Sequence, residues 1–302
     1  MSKSIEISKG LTQVAKDFRG VLLDAYGVFW GGNDFGVIPG SRESMAKLVA
    51  DGKVVGILSN STQLAAKEIH KLSKHGLIQN EHFHFFVTSG EIAKEMFLTQ
   101  QLPFKTNSKQ FLLFGRAHPK FATHEAIFEG SCYSETLNIN DADFIYISVP
   151  HINGIDQENT AVFAQDLQKL KAANLPMICP NPDLFAHEGQ PPRPVVRQGS
   201  IAKMYEKLGG QVYYIGKPHS PAFKKAMGCF AQYDIKTPQE ILMVGDTPET
   251  DVRGALAFGM PCALLLKTGI MAERIDRHGL ETAIQALRKI DYPSYFIEQL
   301  KL

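Results

Sequence analysis

Short, almost uninterrupted apolar runs are the feature of this sequence that most limits its fold. Four of them predict strands: Val21–Leu23, Val54–Leu58, Val212–Ile215 and Ile241–Val244. Continuous apolar runs are typical of strands that are buried on both faces of a parallel sheet. Stretches with helical periodicity lie between the runs, so the chain is predicted to fold as an α/β protein.

A middle segment is predicted to form a separate domain. Thr88–Glu91 has the spacing of a capping box that opens a helix, and further strand-like and helical stretches follow it. The segment Pro180–Pro194 is rich in proline and predicts a loop. For 302 residues, at roughly 150 per domain, we expect an inserted domain at residues 88–197. Residues 1–87 and 198–302 would then form one discontinuous core domain.

Charge and composition exclude several classes of protein. The chain has 32 Lys and Arg against 31 Asp and Glu, so its charge does not favour nucleic acid or an anionic membrane. Its apolar runs are far shorter than the ~20 residues that span a bilayer, and its N-terminus has no targeting pattern. Four widely spaced cysteines fit four packed free thiols better than disulfides or a zinc site. We therefore expect a cytoplasmic protein with neither nucleic-acid nor membrane partners.

A polar motif follows each of the four predicted core strands. Asp24 comes directly after the first, and its carboxylate could attack phosphorus or bind a metal. Ser59 and Asn60 follow the second, where a hydroxyl and an amide suit a phosphate. Lys217 follows the third and could neutralise a phosphate as a point charge. Each motif alone also has a structural interpretation, as a turn cap, a helix cap or a solvated loop residue.

The fourth motif is the most specific, because Asp246 and Asp251 follow a strand and a glycine. Clusters of oxygen ligands select hard cations such as Mg²⁺. Ligands of open α/β sheets bind at the carboxyl ends of the strands, so the four motifs are predicted to converge there. Three carboxylates, including Asp24, would repel one another unless a divalent cation and Lys217 compensated them. A phosphoryl oxygen could then bridge the cation, Lys217 and Ser59.

These motifs, in this order, resemble those of the haloacid dehalogenase-like (HAD) superfamily. The matching segments are Asp24–Gly27, Ser59, Lys217 and Gly245–Asp251. The position of the insert resembles class IIA, the large-cap class of the 4-nitrophenylphosphatases and the phosphoglycolate and pyridoxal phosphate phosphatases. Ile38–Gly40, Asn181–Asp183 and Gly216–Pro218 also fit that class. The resemblance covers about residues 20–270 and implies a Rossmann-like parallel-sheet core with an inserted α/β cap domain.

The resemblance implies a Mg²⁺-dependent hydrolase that acts on small phosphate monoesters. Asp24 would attack phosphorus and form an aspartyl-phosphate, which water then hydrolyses. The carboxylates of Asp24 and Asp246 and the backbone carbonyl of Tyr26 would hold Mg²⁺. Asp251 would accept hydrogen bonds beside these ligands or position Lys217, which would act in catalysis and bind phosphate.

The resemblance also implies how the substrate is held. Ser59 and Asn60 would bind the phosphoryl oxygens, and Asn181 and Asp183 would belong to the substrate loop of the cap. The partner would be a small phosphorylated molecule. Caps of this class often mediate dimers, so a homodimer is possible.

One position departs from the pattern of the family phosphatases. They usually carry a second Asp two residues after the nucleophile as general acid and base, and here that position is Tyr26. A positioned acid or base contributes about 10²–10⁴-fold. Three interpretations stay open: a phosphatase in which Tyr26, water or the substrate manages protons, a weak or inactive protein that binds phosphorylated ligands, and a haloacid dehalogenase. The last is disfavoured, because dehalogenases use no metal and insert their cap after the first motif.

Overall fold

The computed structural model describes residues 6–32, 35–188 and 193–301. Within them the chain forms two compact units. The first unit takes its residues from Met1–Ser59, Ala65–Val87 and Lys217–Leu302. The second takes them from Asn60–Leu64 and Thr88–Gly216.

The chain alternates strands and helices over most of its length. The strands are β1 (Ile7–Ser8), β2 (Gly20–Leu23), β3 (Val54–Ser59), β4 (Phe85–Thr88), β5 (Gln110–Phe114), β6 (Ser134–Glu135), β7 (Phe144–Ile147), β8 (His151–Ile152), β9 (Ile155–Asp156), β10 (Met177–Cys179), β11 (Phe185–Glu188), β12 (Arg193–Val196), β13 (Val212–Tyr214), β14 (Ile241–Gly245), β15 (Cys262–Leu265) and β16 (Tyr295–Ile297). The α-helices are α1 (Leu11–Ala15), α2 (Ser41–Ala50), α3 (Ala65–Ser73), α4 (Ser89–Leu98), α5 (Thr123–Phe128), α6 (Ala164–Ala172), α7 (Gln198–Lys207), α8 (Ser220–Ala231), α9 (Arg253–Phe258), α10 (Gly269–His278) and α11 (Leu280–Gln285).

The first unit is built on a seven-stranded sheet with the order β1-β16-β15-β14-β2-β3-β4. The neighbouring pairs from β1 to β3 are parallel. Strands β2 and β14 lie at the centre, and every residue of both is buried. Val21 and Leu23 share a core cluster with Leu48 of α2 and Leu72 of α3. The predicted α/β fold with a parallel sheet is confirmed.

The second unit has its own sheet, with five parallel strands in the order β13-β10-β7-β5-β6. Its core joins Ile145 of β7 and Met177 of β10 to Leu167 of α6 and Ile201 of α7. Two antiparallel pairs, β8 with β9 and β11 with β12, complete the unit. Each unit therefore encloses a hydrophobic core of its own.

The strand predicted at Val212–Ile215 does not belong to the core sheet, and this expectation was wrong. It forms β13, which pairs with β10 at the edge of the second sheet, so that Met177 aligns with Val212. An edge strand has one neighbour, and the three residues of β13 are only partly buried. An apolar run predicts a strand but does not specify which sheet accepts it. Residues 198–216, which we expected in the core domain, thus lie in the second unit.

The proline-rich segment is not a simple loop, contrary to the prediction. Strands β11 and β12 pair within it, and His187 of β11 aligns with Pro194 of β12. A two-stranded ladder has free edges, so a proline without an N–H group can be accommodated there. The part of the predicted loop at residues 189–192 lies outside the described residues.

Two further expectations can be compared with the described residues. None of their helices combines the length and the apolar character that a membrane span requires. The four cysteines are free thiols, of which Cys179 and Cys262 are buried. Cys132 is exposed, so the expectation that all four thiols are packed was wrong.

Candidate active site

The candidate site begins where the two central strands of the first sheet end. Asp24 follows β2 and Asp246 follows β14, and the register pairs Leu23 with Val244 just before them. The backbone N–H of Asp24 donates to the carbonyl of Val244 at 2.9 Å and so extends the ladder. The parallel register therefore brings the two carboxylates to the same sheet edge.

Lys217 lies between two of the carboxylates. Its Nζ is 2.6 Å from Oδ1 of Asp24 and 2.8 Å from Oδ1 of Asp251, and its side chain is 2% exposed. One oxygen from each of Asp24, Asp246 and Asp251 lies within 4.8 Å of the other two. The structure thus joins the first, third and fourth motifs in one cluster, which we call the acid cluster (Asp24, Asp246, Asp251 and Lys217).

Backbone donors fix the orientation of two members of the cluster. Oδ2 of Asp246 accepts a hydrogen bond from the N–H of Ile270 at 2.7 Å. Oδ2 of Asp251 accepts from the N–H groups of Asp246 and Thr247, each at 3.1 Å. The Thr247 hydroxyl also donates to Oδ1 of Asp246 at 3.2 Å. Asp251 therefore holds the turn after β14 while its other oxygen contacts Lys217.

Two glycines allow the chain to approach Asp246 closely. Gly27 and Gly269 have φ angles of +76° and +65°, in the left-handed region that favours glycine. A Cβ atom at either position would overlap the carboxylate of Asp246. Sequence reasoning did not identify Gly269, Thr247 or Ile270. The only available signal was the Thr268-Gly269 pair soon after β15, at the edge where the other motifs end.

The acid cluster has more negative than positive charge, because it holds three carboxylates and one ammonium. Burial raises the pKa of Asp24 to about 7, with a smaller contribution from Asp251, although Lys217 opposes the rise. Burial and the charges of Asp251 and Asp24 raise the pKa of Asp246 as well. Burial alone would lower the pKa of Lys217, but Asp24 and Asp251 raise it above its ordinary value. Lys217 therefore stays cationic and neutralises only part of the acid charge.

The donor set of the cluster fits a hard divalent cation. All three candidate ligand side chains offer carboxylate oxygens, and these are the ligands that Mg²⁺ prefers. A bound cation would also relieve the repulsion that raises the pKa values of Asp24 and Asp246. The residues present therefore fit a divalent metal ion.

Ser59 is the last residue of β3, beside β2, and its side chain is buried. The register pairs Leu23 with Ile57, so Ser59 lies at the same carboxyl edge as Asp24. Asn60 belongs to the second unit, where its Nδ2 donates to Oδ1 of Asp183 at 2.9 Å. The N–H of Asp183 in turn donates to Oδ1 of Asn181 at 2.8 Å. The predicted substrate-binding residues Asn60, Asn181 and Asp183 are thus brought together within that unit.

Tyr26 does not contribute its side chain to the acid cluster by any described hydrogen bond. The residue is 47% exposed, and its hydroxyl lies 3.4 Å from Nζ of Lys71 on α3. Packing around the phenol raises the pKa of Tyr26, although the Lys71 charge opposes the rise. Trp30 is 1% exposed and belongs to the core of the first unit.

Two family models match the chain in the regions that form this site. A "Haloacid dehalogenase-like hydrolase" model matches residues 21–128, and a "HAD-hydrolase-like" model matches residues 214–292. Among curated proteins, chronophin from Rattus norvegicus is 26% identical over 306 residues, which cover 96% of this chain and 88% of chronophin.

Solved structures share the fold over almost the whole chain. A haloacid dehalogenase-like hydrolase from Brucella suis superposes with a TM-score of 0.78 at 20% identity, covering 97% of this chain and 100% of the other. A glycerol phosphate phosphatase from Mycobacterium tuberculosis, in complex with magnesium, gives a TM-score of 0.66 at 18% identity. That match covers 95% of this chain and 77% of the phosphatase. With its motifs, its parallel sheet and these matches, the chain belongs to the haloacid dehalogenase-like superfamily of hydrolases.

Proposed function

We propose that this hydrolase is a Mg²⁺-dependent phosphatase of small phosphate monoesters that acts through an aspartyl-phosphate. The observation that carries the proposal is the acid cluster, in which Lys217 contacts both Asp24 and Asp251. Three carboxylates and one buried ammonium suit a dianionic phosphoryl group only when a divalent cation is also present. The relative named as a glycerol phosphate phosphatase supports the same reaction class.

Asp24 is the proposed nucleophile. Its carboxylate must be ionised to attack phosphorus, and the ammonium of Lys217 at 2.6 Å favours that form. Lys217 would also neutralise charge on the phosphoryl group, while the hydroxyl of Ser59 and the amide of Asn60 bind its oxygens. Fixed charges of this kind supply most of the rate in phosphoryl transfer.

Asp24, Asp246 and the backbone carbonyl of Tyr26 are the proposed Mg²⁺ ligands, and Asp251 orients the loop that carries Asp246. When bound, Mg²⁺ would add positive charge against the phosphoryl oxygens. Asn181 and Asp183 are proposed to bind the rest of the substrate. Their hydrogen bonds to each other and to Asn60 fix the shape of that loop.

Tyr26 is the proposed source of the proton for the leaving group, in place of the usual Asp. Its raised pKa keeps the phenol protonated at neutral pH, so it can donate but is a weak base. This same substitution favours a second candidate function, a protein that binds phosphorylated ligands with little turnover. Dehalogenation is disfavoured, because an anionic haloacid would meet three carboxylates without a metal.

Replacing the nucleophile tests the proposal. Asp24→Asn removes the attacking carboxylate, so release of phosphate from 4-nitrophenyl phosphate with Mg²⁺ should fall by at least about 10³-fold. Asp276→Asn, at an exposed position of α10, is the matched control and should keep the activity of the unsubstituted protein. Full activity in Asp24→Asn would reject the mechanism. Mg²⁺-dependent binding of phosphate esters without turnover by the unsubstituted protein would support the second candidate.

A further inference from the structure

Two histidine rings of the second unit contact each other beside the β8–β9 hairpin. His118 lies in the loop after β5 and His151 begins β8, and their ring centroids are 4.8 Å apart, with the planes nearly perpendicular. His118 is buried. At the tip of the hairpin, a Cβ atom on Gly154 would lie 2.8 Å from Cγ of Pro119. The hairpin therefore packs against the loop after β5 through both a ring contact and a close backbone approach.

The hydrogen bonds of the two rings determine which nitrogen carries the hydrogen. Nδ1 of His118 accepts from the N–H of Lys120 at 3.0 Å, and Nδ1 of His151 accepts from the N–H of Gly154 at 2.8 Å. A neutral imidazole whose Nδ1 accepts carries its hydrogen on Nε2. Both Nε2 atoms are buried, and neither has a hydrogen-bond partner within the described residues. Buried donors without an acceptor weaken the packing that encloses them, so the closed hairpin is only weakly favoured.

The surroundings of His118 disfavour a positive charge on its ring. The facing carboxylate is that of Asp156 on β9, whose Oδ1 lies 3.6 Å from Nε2 of His118 and also accepts from Arg197 at 3.2 Å. Burial lowers the pKa of His118 below its ordinary 6.5; Asp156 opposes this shift, and His151, Arg197 and Lys120 add to it. A proton on Nδ1 would also replace the acceptor of the Lys120 N–H by a donor. Proton uptake in the closed hairpin therefore breaks a hydrogen bond and buries a charge.

We propose that His118, His151 and Asp156 form a pH-sensitive clasp, which holds the β8–β9 hairpin against the loop after β5 while the His118 ring is neutral and releases it when that ring takes up a proton. Release lets water solvate the charged ring. Strands β8 and β9 have two residues each and form a separate ladder, so they can open while the five-stranded sheet stays folded.

The position of the clasp connects it to the proposed substrate residues. The hairpin follows β7 and Asn181 follows β10, and these two strands are parallel neighbours. Both segments therefore lie at the carboxyl edge of the second sheet. Acid release of the hairpin would make this edge of the second unit responsive to pH.

Hydrogen exchange at two amides reports on the clasp. The N–H of Gly154 is bonded to His151, and the N–H of Val196 donates to the carbonyl of Gln157, just after the hairpin, at 2.7 Å. After correction for the intrinsic exchange rates, the protection of both amides should fall by about tenfold from about pH 7.5 to about pH 5, because the open hairpin binds the extra proton. The amides of β7 should change much less.

Two substitutions separate proton uptake from packing. His118→Asn keeps an acceptor near the Lys120 N–H and cannot titrate, so hairpin protection should no longer depend on pH. Lys120→Glu replaces a repelling charge by an attractive one, so the closed hairpin should tolerate the proton and the acid-induced loss should shrink. Lys203→Glu, at an exposed position of α7, makes the same change of charge and is the matched control. If His118→Asn opens the hairpin even at about pH 7.5, the two lysine variants carry the test.

Nitrogen chemical shifts of the His118 ring test the premise directly, since they distinguish the two neutral forms. The Nε2–H form is expected at about pH 7.5, and the Nδ1–H form would overturn the clasp. Unchanged hairpin protection on acidification would overturn it too, as would a loss that is equal in the hairpin and in β7, which would mean that the whole unit unfolds. A full acid-induced loss in His118→Asn, or equal effects of Lys120→Glu and Lys203→Glu, would have the same consequence.

Discussion

The parallel sheets of the two units carry different polar residues at their carboxyl edges. At the carboxyl edge of the first sheet, Asp24 and Asp246 share a buried cluster with Asp251 and one lysine. In the second sheet, His118 follows β5 and His151 follows β7, and their rings lie 4.8 Å apart. Both edges therefore carry buried polar residues, as expected of open α/β sheets.

The difference lies in the balance of charge. In the second unit, Arg197 pairs with Asp156 at 3.2 Å, and burial lowers the pKa of His118 so that its ring stays neutral. Backbone N–H groups of Lys120 and Gly154 donate to the Nδ1 atoms of the two histidines. Positive and negative charges are balanced at that site, whereas the acid cluster holds three carboxylates and only one ammonium. Unbalanced charge, rather than buried polarity, distinguishes the site for which we propose a bound cation.

The largest expected effect comes from substituting a carboxylate in each unit. Asp246→Asn should abolish Mg²⁺-dependent turnover, with a loss of at least about 10³-fold, because it removes a proposed metal ligand. Asp183→Asn, in the second unit, should raise KM while keeping most of kcat, since the proposed contact is to the distant part of the substrate. Steady-state kinetics with 4-nitrophenyl phosphate measure both constants. A similar fall in kcat for the two variants would remove the distinction.

The excess negative charge of the acid cluster also predicts how the stability of the first unit depends on pH and Mg²⁺. The pKa of Asp24 rises from its ordinary 3.8 to about 7 on folding, so the folded state holds a proton that the unfolded chain releases. Without metal, the stability linked to this group is present below about pH 4 and is lost as the pH rises to about 7. Mg²⁺ should then stabilise the unit at about pH 8, by about 2.7 kcal/mol at 100 times its dissociation constant.

Thermal unfolding followed by Trp30 fluorescence measures this effect, because the single tryptophan lies in the first unit. The Mg²⁺-induced shift should shrink at about pH 5, where protons compete for the carboxylates, and disappear in Asp246→Asn. Asp276→Asn should behave like the unsubstituted protein. An equal shift in Asp246→Asn would show that the ion binds elsewhere.

The acid cluster could be predicted because Asp24 and Asp246 each directly follow an apolar strand along the chain. Sequence reasoning placed Lys217 beside these carboxylates, where the structure has it, but assigned the preceding strand to the wrong sheet, since an apolar run does not encode its neighbours. The donors that orient Asp246, such as the Ile270 N–H, are backbone groups and have no residue signature. The contact between Lys71 and Tyr26 depends on how α3 packs beside the loop after β2, which only the tertiary structure specifies.

The smallest expected effect lies at the balanced site of the second unit. Burial lowers the pKa of His118 below its ordinary 6.5, with His151, Arg197 and Lys120 adding to the shift and Asp156 opposing it. The unfolded chain therefore binds a proton first as the pH falls, and the second unit should lose stability below about pH 6.5. This direction is opposite to the one expected for Asp24 in the metal-free first unit.

Hydrogen exchange of the amides in β7 measures the stability of the second unit, whereas Trp30 fluorescence measures that of the first. His118→Asn keeps an acceptor near the Lys120 N–H and cannot titrate, so it should reduce the loss of protection between about pH 7.5 and about pH 5. His278→Asn, at an exposed position that ends α10, is the control and should change nothing. If β7 instead became better protected on acidification, the His118 site would have excess negative charge, as the acid cluster does. Charge balance would then no longer distinguish the two sites.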